Sequence, residues 1–110
     1  MINQLRLYQL FPATAAAFHA RFRDHAARIM RGHGFRILAM WETGEGDSLA
    51  FAYLLAWADE AEMAAGWAAF MADADWARIK RETLETPIVG RIEDRVLRPT
   101  EYSAALGDIA

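Results

Sequence analysis

The chain has 110 residues, a net charge of −3 and no cysteine, which excludes disulfides, thiolate metal sites and a cysteine nucleophile. One domain of this length can bury a core, but a hydrophobic share of 55%, with four Trp and six Phe, exceeds the ~45–50% of ordinary soluble domains and points to a self-associating surface. The acidic balance gives no electrostatic reason for a nucleic-acid or anionic-membrane partner. No run approaches the ~18 apolar residues of a spanning helix, and the start, Met1-Ile2-Asn3-Gln4-Leu5-Arg6, lacks the basic-then-apolar order of a signal peptide, so a cytoplasmic location is expected.

Residues 2–11 alternate, with Ile2, Gln4, Arg6, Tyr8 and Leu10 on one face, which predicts a strand ended by Pro12. Thr14 is the candidate N-cap of a helix over residues 15–32, with an inner stripe of Phe18, Phe22, His25 and Ile29, stopped by Gly32 and Gly34. Residues 35–43 and 49–57 read as strands of an antiparallel hairpin around the turn Gly44-Glu45-Gly46-Asp47-Ser48. Asp59 with Glu62 resembles a capping box, opening a helix with the stripe Met63, Trp67, Phe70 and Met71. Asp73 recaps a second helical segment that turns Trp76 and Ile79 inward. Pro87 and Gly90 bracket a turn, residues 91–98 form the last strand, and residues 100–110 read as a C-terminal arm.

Strand, helix, strand, strand, helix, strand is the ferredoxin-like α+β plan: βαββαβ, a four-stranded antiparallel sheet with helices on one face, in a single domain spanning 1–110. The third strand has a small face, Ala50, Ala52, Leu54 and Ala56, and a bulky one, Leu49, Phe51, Tyr53, Leu55 and Trp57. Small side chains let helices approach closely, so the small face is expected under the helices. The bulky face is then expected against a second copy, giving a dimeric α+β barrel.

Charge is uneven along the chain. Residues 1–36 hold six Arg against Asp24, while residues 37–75 hold eight acids and no Lys or Arg. Complementary surfaces within one fold or one dimer account for this, and a basic, anion-binding face on the first helix is the alternative. His25, on the apolar stripe, is the sharpest single residue: a proton carrier or axial haem ligand, or a core histidine satisfied by a neighbour. Arg6 and Tyr8 share a face of the first strand, and Tyr53 lies on the bulky face of the third. If both strands are central, these groups line the space between two sheets, as an anion or small-molecule site or as a buried Arg paired to Glu93 or Asp94. Trp76 is core, or a surface on which a planar ligand stacks. His19 and His33 have no metal-ligand spacing, no HExxH or GxSxG pattern occurs, and Asp73-Ala74-Asp75 lacks the glycine and glutamate of a calcium loop; no metal is expected.

Trp67 and Phe70, then Asp73-Ala74-Asp75-Trp76, the charged pair Arg81-Glu82, and Ile92 followed by Glu93-Asp94-Arg95-Val96-Leu97-Arg98-Pro99 form a succession echoed by Leu5-Arg6-Leu7-Tyr8 near the start. Together they resemble the NIPSNAP family, over about residues 2–103. The resemblance implies the ferredoxin-like fold and the dimeric α+β barrel, and it implies no defined reaction. The position of Tyr53 often looks like His in related sequences, which removes any His-dependent role there. The leading expectation is a homodimer without a cofactor that binds a small organic ligand or a protein partner, with Arg6, Tyr8, His25, Tyr53 and Trp76 as candidate ligand residues. The alternative is an enzyme, cofactor-free monooxygenase-like or haem-dependent, with His25 and Tyr8 as candidate catalytic residues.

Overall fold

Four strands and their helices follow the expected order in the computed structural model of the protein, which describes residues 1–83 and 88–104. Strands β1 (Ile2–Leu10), β2 (Arg36–Thr43), β3 (Ala50–Trp57) and β4 (Val89–Leu97) form one sheet in the order β2-β3-β1-β4. Each neighbouring pair is antiparallel. Helices α1 (Ala15–Arg21) and α2 (Ala27–Gly32), joined by a π-helical turn at Phe22–Ala26, run as one rod, and α3 (Glu60–Met71) and α4 (Ala74–Thr83) follow β3. Among the described residues no helix is long and apolar enough to cross a membrane.

The two faces of the sheet are opposite to the expectation from side-chain size. Phe51, Tyr53, Leu55 and Trp57 lie beneath the helices. Phe18 and Phe22 meet Phe51 at 5.1 and 4.8 Å between ring centroids, and Phe35 meets Trp57 at 4.8 Å. Tyr53 and Leu55 have no exposed surface. The physical reason is volume. A helix layer stands off a sheet by most of 10 Å, and only large side chains fill that gap to the density of a protein interior. The small face is the one the helices leave uncovered. Register places Leu5 beside Leu54 and Leu7 beside Ala52 there, with Ala39 and Trp41 joining from β2.

Several local expectations also shift. Thr14 makes no cap; Pro12–Thr14 is a 3-10 turn that leads into α1. Asp59 does cap α3, accepting the Glu62 N–H at 2.8 Å, but the Glu62 carboxylate returns to the Ala58 N–H, one residue beyond the usual box. Met71 is 56% exposed rather than inward. Gly90 lies inside β4, and Pro87 and residues 105–110 of the arm lie outside the described residues. Gly44 has φ 73°, and a Cβ there would meet the Ser48 carbonyl oxygen at 2.2 Å, so the hairpin turn requires glycine. A Cβ on Gly66 would meet the Trp57 ring at 2.6 Å, which shows how closely α3 sits on that indole.

The π turn changes the phase of the first helical rod. A stripe at helical spacing through Phe18 and Phe22 would continue to His25 and Ile29. Ile29 is buried as expected, at 6% exposed, but the wider turn brings Ala26 and Met30 inward beside it, each 2% exposed, and leaves His25 partly exposed.

Candidate functional site

β1 carries a line of polar side chains on the helix-facing side of the sheet. Gln4 is 2% exposed and fully engaged. Its Oε1 accepts the indole N–H groups of Trp57 at 3.0 Å and Trp67 at 2.7 Å, and its Nε2 donates to both carboxylate oxygens of Asp94 at 3.0 Å. Arg6, two residues on, donates to Asp94 Oδ2 at 2.8 Å and to the Tyr8 hydroxyl at 3.1 Å. The Tyr8 and Tyr53 hydroxyls stand 2.6 Å apart. The guanidinium lies 4.4 Å from the Trp67 ring, a cation–π contact.

Burial works against the charge on Arg6, but Tyr8 and Tyr53 outweigh it, and its pKa ends above the ordinary value. Burial, reinforced by Tyr8 and opposed by Arg6, pushes the Tyr53 phenol well above its ordinary value. The Tyr53 phenol therefore stays neutral beside a permanent cation. Arg6 Nε is buried without a partner.

Of the residues singled out from the sequence, Arg6, Tyr8 and Tyr53 are brought together, under the helices rather than between two sheets. The acid that pairs with Arg6 is Asp94. Trp76 stands apart from this group. It stacks on Phe70 at 5.1 Å, and the Arg21 guanidinium lies 5.5 Å from its ring. His25 sits on the π turn, with a buried Nδ1 that has no partner, and among the described residues no hydrogen bond joins it to Arg6, Tyr8 or Tyr53. His19 and His33 are taken up by carboxylates, Glu42 at 2.6 Å and Asp73 at 2.8 Å.

A groove of about 330 Å³ opens next to this cluster, between the helical rod and β2. One wall is a stripe at four-residue spacing, His19, Arg23, Ala27 and Arg31, and the floor is Phe22, Met40 and Phe51. The floor rests on the phenol pair: the Tyr53 ring lies 5.1 Å from Phe22 and 5.6 Å from Phe51. Phe22 and Phe51 line the groove, and Tyr8 and Tyr53 do not. Met40, 43% exposed, leaves apolar surface in contact with water. Arg23 is held by the neighbouring Asp24 at 2.8 Å, whereas the Arg31 guanidinium makes no hydrogen bond or ion pair among the described residues. Phe22 and Phe51 were singled out from sequence as core, but Ala27, Arg31 and Met40 were not singled out, because they lie off the apolar stripe read for the rod or on an edge strand, where that periodicity is silent. The basic character of the first helix was the available signal.

Solved structures share the fold. A structure of an uncharacterized NIPSNAP-like domain protein from Burkholderia xenovorans matches with a TM-score of 0.80 at 24% identity, over 94% of this chain and 89% of that one. An antibiotic biosynthesis monooxygenase matches at 0.60 with 12% identity, over 91% and 99% of the two chains. A MhuD variant with two manganese protoporphyrin IX bound per active site matches at 0.63 with 9% identity, over 96% and 100%. At such identities the likeness is one of fold. No curated protein matches the sequence. The model of the NIPSNAP family matches residues 3–104, nearly the whole chain, and the protein belongs to that family.

Proposed function

We propose that this chain works as a homodimer and binds a small organic ligand in the groove between its first helical rod and β2. The groove carries the reading. Its volume of about 330 Å³ is at the small end of ligand sites, and an apolar floor with a few polar groups at the rim is the usual make-up of such sites. The Arg6–Tyr8–Tyr53 cluster stiffens the floor from behind and, since it does not line the groove, is support rather than reacting group.

The helix-free sheet face supports the homodimer. Leu5, Leu7, Leu54 and the alanines of β3 are flanked there by Trp41, 50% exposed, and Leu97, 40% exposed. Two such sheets packed face to face would cover this surface, and a stable pair needs at least ~1,200 Å² of buried area in total.

A fragment screen by ligand-observed NMR, with hits mapped by amide shifts on the labelled protein, tests the ligand reading. The expected hits shift Ala27, Met40 and Phe51 and are lost in Met40→Trp, which fills the groove from an exposed edge-strand position. Hits that leave these resonances unmoved, or that bind Met40→Trp as well as wild type, contradict it.

A further inference from the structure

We infer that the occupant of the groove is an amphipathic monoanion, a carboxylate with a medium-length apolar body, an inference that rests on the groove being the ligand site. Charge and shape together select this class. The stripe from His19 to Arg31 spans twelve residue steps, roughly 18 Å of helix at 1.5 Å per residue. At one end Arg31 presents a guanidinium with no partner among the described residues. A planar fork of N–H donors fits a carboxylate in two parallel bonds.

The middle of the groove offers no polar partner. Ala27, Phe22, Met40 and Phe51 line it, and an apolar chain laid there covers carbon surface now in contact with water. At the far end the His19 imidazole is engaged by Glu42 at 2.6 Å, from the opposite wall. Glu42 puts negative charge at that end, so a second anionic group on the ligand would be repelled. Arg23, already held by Asp24, adds positive field without demanding a second anion. One charge at the Arg31 end and an apolar tail toward His19 is the ligand this arrangement fits.

The test uses the full chain, labelled with nitrogen-15, and titrates octanoate, octanol and octylammonium into wild type, Arg31→Gln and Arg31→Lys. Arg31 is exposed, so neither variant threatens folding. Octanoate is expected to shift Ala27, Met40 and Phe51 saturably and to bind about tenfold more tightly than octanol, the ratio that one charge-assisted contact of ~1.4 kcal/mol supplies. Octylammonium is expected to bind more weakly than either. Arg31→Gln should bring octanoate down to the level of octanol, and Arg31→Lys should retain part of the preference. Equal binding of octanoate and octanol, or an octanoate affinity unchanged in Arg31→Gln, overturns the inference while leaving the groove as a ligand site. Fragment hits in the groove with no response to any octyl compound overturn the inference alone. Groove resonances unmoved by octyl compounds and fragments alike overturn both readings.

Discussion

Gln4 is the residue on which the polar cluster depends most, and Gln4→Leu measures that dependence. The amide is 2% exposed, and its Oε1 is the acceptor for two indole N–H groups. A leucine side chain has similar bulk and no acceptor. Trp57 is 1% exposed, so its N–H would be left buried and unpaired, at a cost of about 1–3 kcal/mol. Trp67 is only half-buried and can turn toward water, so its loss sits near the low end of that range. Asp94, 43% exposed at its side chain, keeps Arg6 and loses little. The expected total is about 2–4 kcal/mol, a large share of the ~5–15 kcal/mol by which a domain of this kind is stable. That corresponds to roughly 10–20 °C in Tm for about 100 residues. Urea unfolding followed by far-UV circular dichroism gives the value, at one fixed protein concentration because the proposed dimer would add to apparent stability. A loss below about 0.5 kcal/mol with an unchanged m value would refute the reasoning, since an unpaired buried donor is costlier than that. Gln4→Glu provides the control. It keeps an acceptor for both indoles but sets a carboxylate against Asp94, so its deficit relative to wild type should shrink toward acid pH as the introduced group takes a proton.

Tyr53→Phe removes the 2.6 Å contact with Tyr8 and should cost about 1 kcal/mol by thermal melt. It should also flatten the alkaline limb. Burial first, then Tyr8, raises the Tyr53 pKa above its ordinary value of 10.0, so its contribution is full below pH ~10 and is lost as pH rises and the unfolded phenol ionises; equal loss above pH 10 in wild type and variant would contradict this. Asp73→Ala should lower Tm at neutral pH, because the carboxylate caps α4 through the Trp76 N–H at 2.9 Å and bonds His33. The Trp76 N–H, then His33, hold the Asp73 pKa below its ordinary value of 3.8, so the Tm difference should persist down to that range and vanish as pH falls through the lower, folded-state pKa; a constant difference across the acid limb would speak against it.

Much of the fold was legible because alternation and apolar spacing report element type directly. The run from Ile2 to Leu10 and the Asp59 and Asp73 caps are cases in point. Which side of the sheet the helices take was not legible from β3 alone. Small side chains permit close approach of a helix or of a second sheet equally well, and only the space between layers decides. A signal did exist: Trp57 and Trp67 need acceptors when buried, and Gln4 on the β1 face opposite Leu55 supplies one. The gathering of Arg6, Tyr8 and Tyr53 followed from strand register. The displacement of His25 did not, because one π turn moves the inner stripe from His25 to Ala26 without any mark in local composition. The groove combines a helix stripe with an edge strand distant in sequence, and only the basic share of residues 1–36 hinted at it.

One face of the sheet packs against the helices and carries the groove, and the other is the one proposed to meet a second copy of the chain. Sedimentation equilibrium at micromolar concentration on wild type, Leu54→Glu and Leu55→Glu, with circular dichroism on the same samples, tests it most directly. Leu54 lies on the helix-free face, half-buried, and Leu55, with no exposed surface, lies under the helices. The expected outcome is a dimeric wild type, a folded monomer for Leu54→Glu, and an unfolded chain for Leu55→Glu, where a charge would be buried without a partner. A monomeric wild type, or a Leu54→Glu variant that stays dimeric, would contradict it.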